Sequence, residues 1–123
     1  MLQTLVHYFL HFIFIGVIAY WYDKKHWARN WLILLATMFM DADHLLADPI
    51  FDPQRCGIGY HPLHSFYAIG IYVLGVIFVK HRIIRLIFIG LLFHILTDFI
   101  DCLWMFSKCQ ECYLSSKIYE GLN

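Results

Sequence analysis

Long apolar runs separated by short charged links set the pattern of this chain. Apolar positions run almost unbroken from about Leu5 to Tyr22, Trp31 to Met40, Pro62 to Val79 and Ile83 to Phe106. A helix needs roughly 20 apolar residues to cross the ~30 Å hydrocarbon core of a bilayer. The second run is too short alone, so its span is predicted to continue through Asp41, Asp43 and His44 to about Ala47. The third opens on Pro62, whose missing N–H does no harm at a helix start. The pattern therefore predicts an all-α polytopic membrane protein. Four transmembrane helices, over about 5–22, 31–47, 62–79 and 83–106, form one bundle in a single domain, 1–123, that ends in a short tail, 107–123. Basic residues follow the first apolar run and no small-residue cleavage site closes it, so the first helix is expected to be retained.

The links give an orientation. The first holds Lys24, Lys25 and Arg29 against Asp23, and the third holds Lys80, Arg82 and Arg85. The second, from Asp48 to Tyr60, holds Asp48 and Asp52 but only Arg55 among basic residues. Positive loops stay in the cytoplasm, so both termini, the tail and the second link are expected outside, with the protein multi-pass in the cell membrane. Trp21, Trp27 and Trp31 fit an aromatic belt on the cytoplasmic side. Composition agrees. The chain is 61% hydrophobic and only 15% charged, with mean hydropathy +0.63, where a soluble domain carries about a quarter charged residues. Formal net charge is zero and no basic patch with interleaved aromatics occurs, so nucleic acid is not an expected partner.

Ten ionisable residues change the picture. His7 and His11, Asp41, Asp43 and His44, His61 and His64, and His94, Asp98 and Asp101 all stand in or beside apolar stretches. Each such residue costs at least ~2.5–3.5 kcal/mol at the bilayer centre and is functional by default. No Lys or Arg stands among them, so protonation or a bound cation must balance the carboxylates. His and Asp together are the ligand set of zinc and similar metals. The pairs His7/His11, Asp41/His44, His61/His64 and His94/Asp98 lie three or four residues apart, on shared helix faces. In the four-span topology all of them fall in the outer half of the membrane. Asp98, for example, lies ~22 Å above Ile83 at 1.5 Å per residue. Two or three divalent ions, zinc foremost, are expected among His7, His11, Asp41, His44, His61, His64, His94 and Asp98. Asp43 points away from Asp41 and is read either as a carboxylate orienting a histidine or as reaching a second metal.

Other residues have plainer readings. His26 and His81 stand beside basic residues in the links and read as solvated surface. Gly70, Gly75 and Gly90 read as close-packing positions. Ser65 lacks triad partners and reads as a polar helix residue, not a nucleophile. Cys56, Cys102, Cys109 and Cys112 all fall on the outward side, where disulfides persist. Three pairings are open, with Cys56–Cys102 favoured and Cys109–Cys112 left over.

The order of motifs carries a resemblance. His in the first helix is followed by D-A-D-H, Y-H-P-L-H-S, H-I-L-T-D and D-F-I-D-C. This resembles the YdjM-like family of small inner-membrane proteins, described as metal-dependent hydrolases, and is more distantly similar to the zinc-dependent phospholipase C and single-strand nuclease superfamily. That superfamily holds a zinc cluster in a helical bundle and hydrolyses phosphoesters. The chain departs from it in the close His61-Pro-Leu-His64 spacing. The implied activity is metal-dependent hydrolysis of a phosphoester, on a lipid or lipid-linked phosphate. Read from the residues, Asp43 or Asp101 would be the general base near metal-bound water. Arg55, the fixed cation of the outer link, would bind the substrate phosphate. The alternative is a metal-ion or proton transporter using the same ligands. A b-type haem protein is disfavoured by the clustered carboxylates.

Overall fold

The computed structural model describes residues 1–50 and 52–122. Phe51 in the second link and Asn123 at the end of the tail lie outside the described residues. Among these residues all regular structure is helical. Helix α1 is Leu2–Tyr22, continuous through a wide π turn at Phe9–Phe14. After a short 3₁₀ turn at Lys24–His26, α2 is Trp27–Ala36 and passes directly into a ten-residue 3₁₀ stretch, Thr37–Leu46. A 3₁₀ turn at Pro62–His64 precedes α3, Phe66–Phe78. Helix α4 is Arg82–Phe106. Two short helices, α5 at Gln110–Leu114 and α6 at Lys117–Leu122, form the tail.

Helices α1 and α4 are long and apolar enough to cross a membrane. Helix α3 is apolar but has only 13 residues, about 20 Å at 1.5 Å per residue. Pro62 opens a separate 3₁₀ turn instead of α3 itself. Ser65 caps α3, accepting the Ala68 N–H at 3.2 Å, as a helix N-cap serine does. In the first link Asp23 caps the 3₁₀ turn through the Lys25 N–H and lies 2.9 Å from His26 Nδ1 and 3.4 Å from the Arg82 guanidinium. The bond to His26 holds its carboxyl below the usual range.

The interior has two apolar regions. Ile15, Ala19, Leu34 and Leu86 pack α1, α2 and α4 together at the end near the first link. Met40, Cys56, Ile58, Tyr72, Ile95 and Cys102 pack the other end. Disulfides join Cys56 to Cys102, tying the second link to α4, and Cys109 to Cys112 at the start of α5. The Trp31 indole N–H donates to the Phe12 carbonyl at 2.9 Å, fastening α2 to the π turn of α1.

Two glycines let helices approach closely. A Cβ on Gly75 would lie 2.4 Å from the Phe88 ring. One on Gly90 would lie 2.7 Å from Thr37 Cγ2 and 2.9 Å from Leu34 Cδ2. Gly70, by contrast, has nothing within 4 Å of its Cβ position. Gly90→Ala is expected to destabilise, because about 1–3 kcal/mol of overpacking exceeds the ~0.5–1 kcal/mol an alanine gains in a helix. Gly70→Ala is expected to be neutral or stabilising. Thermal denaturation of both variants in detergent checks this, and equal shifts would contradict the packing role.

Candidate metal centre

The local backbone aims the side chains. A 3₁₀ helix repeats every three residues, so positions i and i+3 eclipse. Thr37, Met40 and Asp43 therefore form one ridge, and all three are buried. Asp41 and His44 form the next ridge. The close approach of Thr37 to Gly90 brings the start of the 3₁₀ stretch against α4, four residues before Asp41 on one segment and four before His94 on the other. Helix α4 presents His94 and Asp98 at i and i+4 on one face. His11 sits in the π turn of α1 and is fully buried. The Pro62–His64 turn delivers His64, also fully buried.

These side chains converge from four segments. Asp41, His64, His94 and Asp98 each offer an atom within 4.8 Å of all the others. His94 Nε2 is 3.0 Å from Asp41 Oδ1 and 3.3 Å from Asp98 Oδ2. His64 Nε2 is 3.1 Å from Asp98 Oδ2 and 3.6 Å from Asp41 Oδ1. A second group, His7, His11 and Asp98, meets the same distance criterion. Here Asp98 turns its other oxygen, with Oδ1 3.9 Å from His11 Nε2. The two oxygens of Asp98 thus face two different ligand groups. A third group, Asp43, His44 and His64, adjoins the first, and His44 Nε2 is 3.6 Å from Asp41 Oδ1.

Around this core sit the other sequence-predicted residues. Asp43 Oδ2 accepts the Leu63 N–H at 2.8 Å and lies 3.1 Å from His64 Nδ1. Asp101 meets His7 Nδ1 across the α4–α1 interface. His61 is buried but belongs to none of the three groups. Its ring stacks on His44 with centroids 3.9 Å apart. Arg55 stands in the second link with its guanidinium 4.7 Å from the Tyr60 ring centroid, and its Nη2 donates to the Pro49 carbonyl at 2.7 Å. A cleft of about 400 Å³ connects these parts, with walls that include Arg55, His7, His44, His61, Asp98 and Asp101.

The donor set fits a cation. Enclosed atoms with no hydrogen-bond partner among the described residues include both ring nitrogens of His11, the Nε2 atoms of His44 and His64, and Asp43 Oδ1. Buried polar groups are rarely left so. His64 Nε2 lies near two carboxylates yet makes no well-directed bond to either, as expected where lone pairs aim at a shared point between ligands. Asp43 and Asp98 are only 3% and 17% exposed and have no Lys or Arg in ion-pair contact among the described residues, and uncompensated buried charge costs several kcal/mol per ion. His/Asp clusters of this kind can hold a metal ion.

Several contributors escape the periodicity of the sequence. The Leu63 N–H holds Asp43, and the Tyr72 hydroxyl donates to the Leu63 carbonyl at 3.0 Å. Gly57 underlies the stacked histidines, where a Cβ would sit 3.3 Å from His61 Cδ2 and 3.7 Å from His44 Nε2. Gln3 and Thr4 also line the cleft. These two had a signal, since they precede His7 by four and three residues on one helix face.

A family described as one of unknown function, DUF6122, matches residues 1–105. That span contains every residue of the His/Asp cluster. No curated protein and no solved structure matches the chain, and neither the YdjM-like family nor the phospholipase C superfamily is among these matches.

Proposed function

We propose that this chain, which belongs to the DUF6122 family of unknown function, is a membrane-embedded metal-dependent hydrolase of phosphoesters, with zinc as its metal. The observation that carries this reading is Asp98, whose oxygens face His64 and His94 on one side and His11 on the other. Asp98 would be shared by His64, His94 and Asp41 holding one ion and by His7 and His11 holding another. Bound there, divalent ions would lower the pKa of an attacking water and stabilise charge on phosphoryl oxygens.

The chain's own residues complete the arrangement. Asp43 orients His64. Asp101 lines the cleft and is the carboxylate placed to take a proton from the attacking group. Arg55, fixed on Tyr60 and on backbone carbonyls, presents its remaining N–H groups to a substrate phosphate. The membrane setting is supported by large apolar side chains exposed on all four main helical segments, among them Leu5, Leu32, Phe39, Tyr67, Ile71, Phe78 and Leu96. A monomeric soluble protein rarely leaves so many large apolar side chains of its helices in water. On this reading the four segments form a four-span bundle with the cluster in its outer half. Transport is the weaker reading, because Ile15, Ala19, Leu34 and Leu86 fill the other half with apolar packing.

Protein purified in detergent without chelators is expected to contain at least two divalent ions per chain. It is expected to release phosphate or an alcohol from phosphoesters, to stop when the metal is chelated, and to recover when zinc is restored. Less than one ion per chain, or ion flux in liposomes without any hydrolysis, would overturn the proposal.

A further inference from the structure

A second cavity lies beside the first. It has a volume of about 580 Å³, within the range of small-molecule sites. Arg55 and Asp52 line both cavities and so stand between them. One wall is the second link. The other is the tail, with Glu111, Ser115 and Lys117. The Cys109–Cys112 disulfide sits in this wall. Gly59, with φ of 77°, passes under Lys117, where a Cβ would lie 2.7 Å from the lysine Cβ. The family match ends at residue 105, so the cluster lies inside the matched region and the far wall of this cavity lies outside it.

The lining defines the chemistry of an occupant. Three acidic residues, Asp52, Glu111 and Glu120, face two basic ones, Arg55 and Lys117. Lys117 is already paired with Glu120 at 2.6 Å, and Arg55 is directed by the Pro49 carbonyl. The surplus is negative, which disfavours a second phosphate or a carboxylate. Neither the Gln54 amide nor the Glu111 carboxylate has a side-chain partner among the described residues. Amide, carboxylate and hydroxyl groups beside the Tyr60 ring suit a ligand that both donates and accepts many hydrogen bonds and carries no charge.

We infer that this cavity binds a neutral polyhydroxylated group, a sugar or polyol, carried by the phosphoester whose phosphate lies at the His/Asp cluster. The inference rests on the hydrolase reading for the phosphate and on the second cavity for the sugar. Arg55 at the junction would then sit where phosphate meets sugar. The matched region would supply the chemistry, and the tail would select the group attached to the phosphate.

The test has two arms. In the first, saturation-transfer NMR is run on the full chain in a detergent without a sugar head, with neutral saccharides and polyols as probes and no phosphate present. Transfer to the probe is expected, falling about fivefold or more in Glu111→Ala and in Gln54→Ala. In the second, kcat/KM is compared for sugar or polyol phosphates and simple alkyl phosphates of equal charge. A preference of about tenfold is expected, the worth of one or two net hydrogen bonds, and the ratio should fall in the same variants. Sugar binding without hydrolysis would uphold the cavity and defeat the hydrolase. Hydrolysis with no preference and no transfer would overturn the cavity and leave the hydrolase standing. Failure of both arms would overturn both.

Discussion

If the cluster holds two metal ions, as proposed, Asp98→Ala is expected to strip the protein of both, whereas His11→Ala should remove only one. Asp98 belongs to two ligand groups, facing His64 and His94 through Oδ2 and His11 through Oδ1. His11 belongs to one. Its loss leaves Asp41, His64, His94 and Asp98 together, enough ligands for one ion. Loss of Asp98 also leaves buried histidines facing an unbalanced site, and breaking a buried pair by removing one partner costs about 3–5 kcal/mol. Metal binding and folding are coupled, so Asp98→Ala should show a lowered melting temperature even at saturating zinc. Asp98→Asn, which keeps the volume and one ligand oxygen, separates the two effects. It should fold and hold fewer ions than the parent. Elemental analysis of the three variants checks the prediction. Both ions retained in Asp98→Ala, or both lost in His11→Ala, would contradict a shared carboxylate.

The sequence made the long helices legible because their apolar runs are long. The expected spans 5–22 and 83–106 lie within or against the observed Leu2–Tyr22 and Arg82–Phe106. The pairing of His7 with His11 and of His94 with Asp98 was legible for the same reason, since α-helical spacing fixes which residues share a face. The 3₁₀ stretch at Thr37–Leu46 was not. An apolar run reads alike in α and 3₁₀ geometry, yet three residues per turn rotate Asp43 onto the buried ridge with Thr37 and Met40. Pro62 reads as a helix start in sequence. In the structure it makes a separate turn that holds His64 inside while α3 begins later, at Phe66, which leaves α3 shorter than the expected third span. Contacts between segments leave no periodic mark at all. His61 stacks on His44, Asp101 meets His7, and the tail closes a cavity against the second link. Gly75 and Gly90 sit at close approaches and Gly70 does not, a distinction that depends on which helix faces each one.

On the proposed hydrolase reading, Asp43→Asn is expected to weaken metal binding and turnover together, each by about 10–100-fold, the usual cost of removing a partner that orients a histidine ligand. One oxygen of Asp43 receives the Leu63 N–H and also contacts His64 Nδ1. An ionised carboxylate only accepts, so the second contact is a hydrogen bond only when Nδ1 carries the proton. That tautomer leaves the Nε2 lone pair free, and Nε2 is the atom aimed at Asp41 and Asp98. An asparagine oxygen in the place of Oδ2 can still accept both bonds, but without the carboxylate charge they weaken, and its NH₂ group takes the enclosed Oδ1 place near His44. The imidazole is then held less firmly in its orientation and tautomer. Zinc affinity, read by competition with a chromophoric chelator, should fall in step with kcat/KM. The same substitution made in a His64→Ala background should cost little more than His64→Ala alone, because the two residues act as one unit. A general base behaves differently. Were Asp43 itself taking a proton from the attacking group, Asp43→Asn would abolish turnover while zinc affinity stayed near that of the parent, and the loss would persist in the double variant. Parallel losses identify Asp43 as the residue that positions His64 and leave Asp101, on the cleft wall, as the carboxylate that handles the proton.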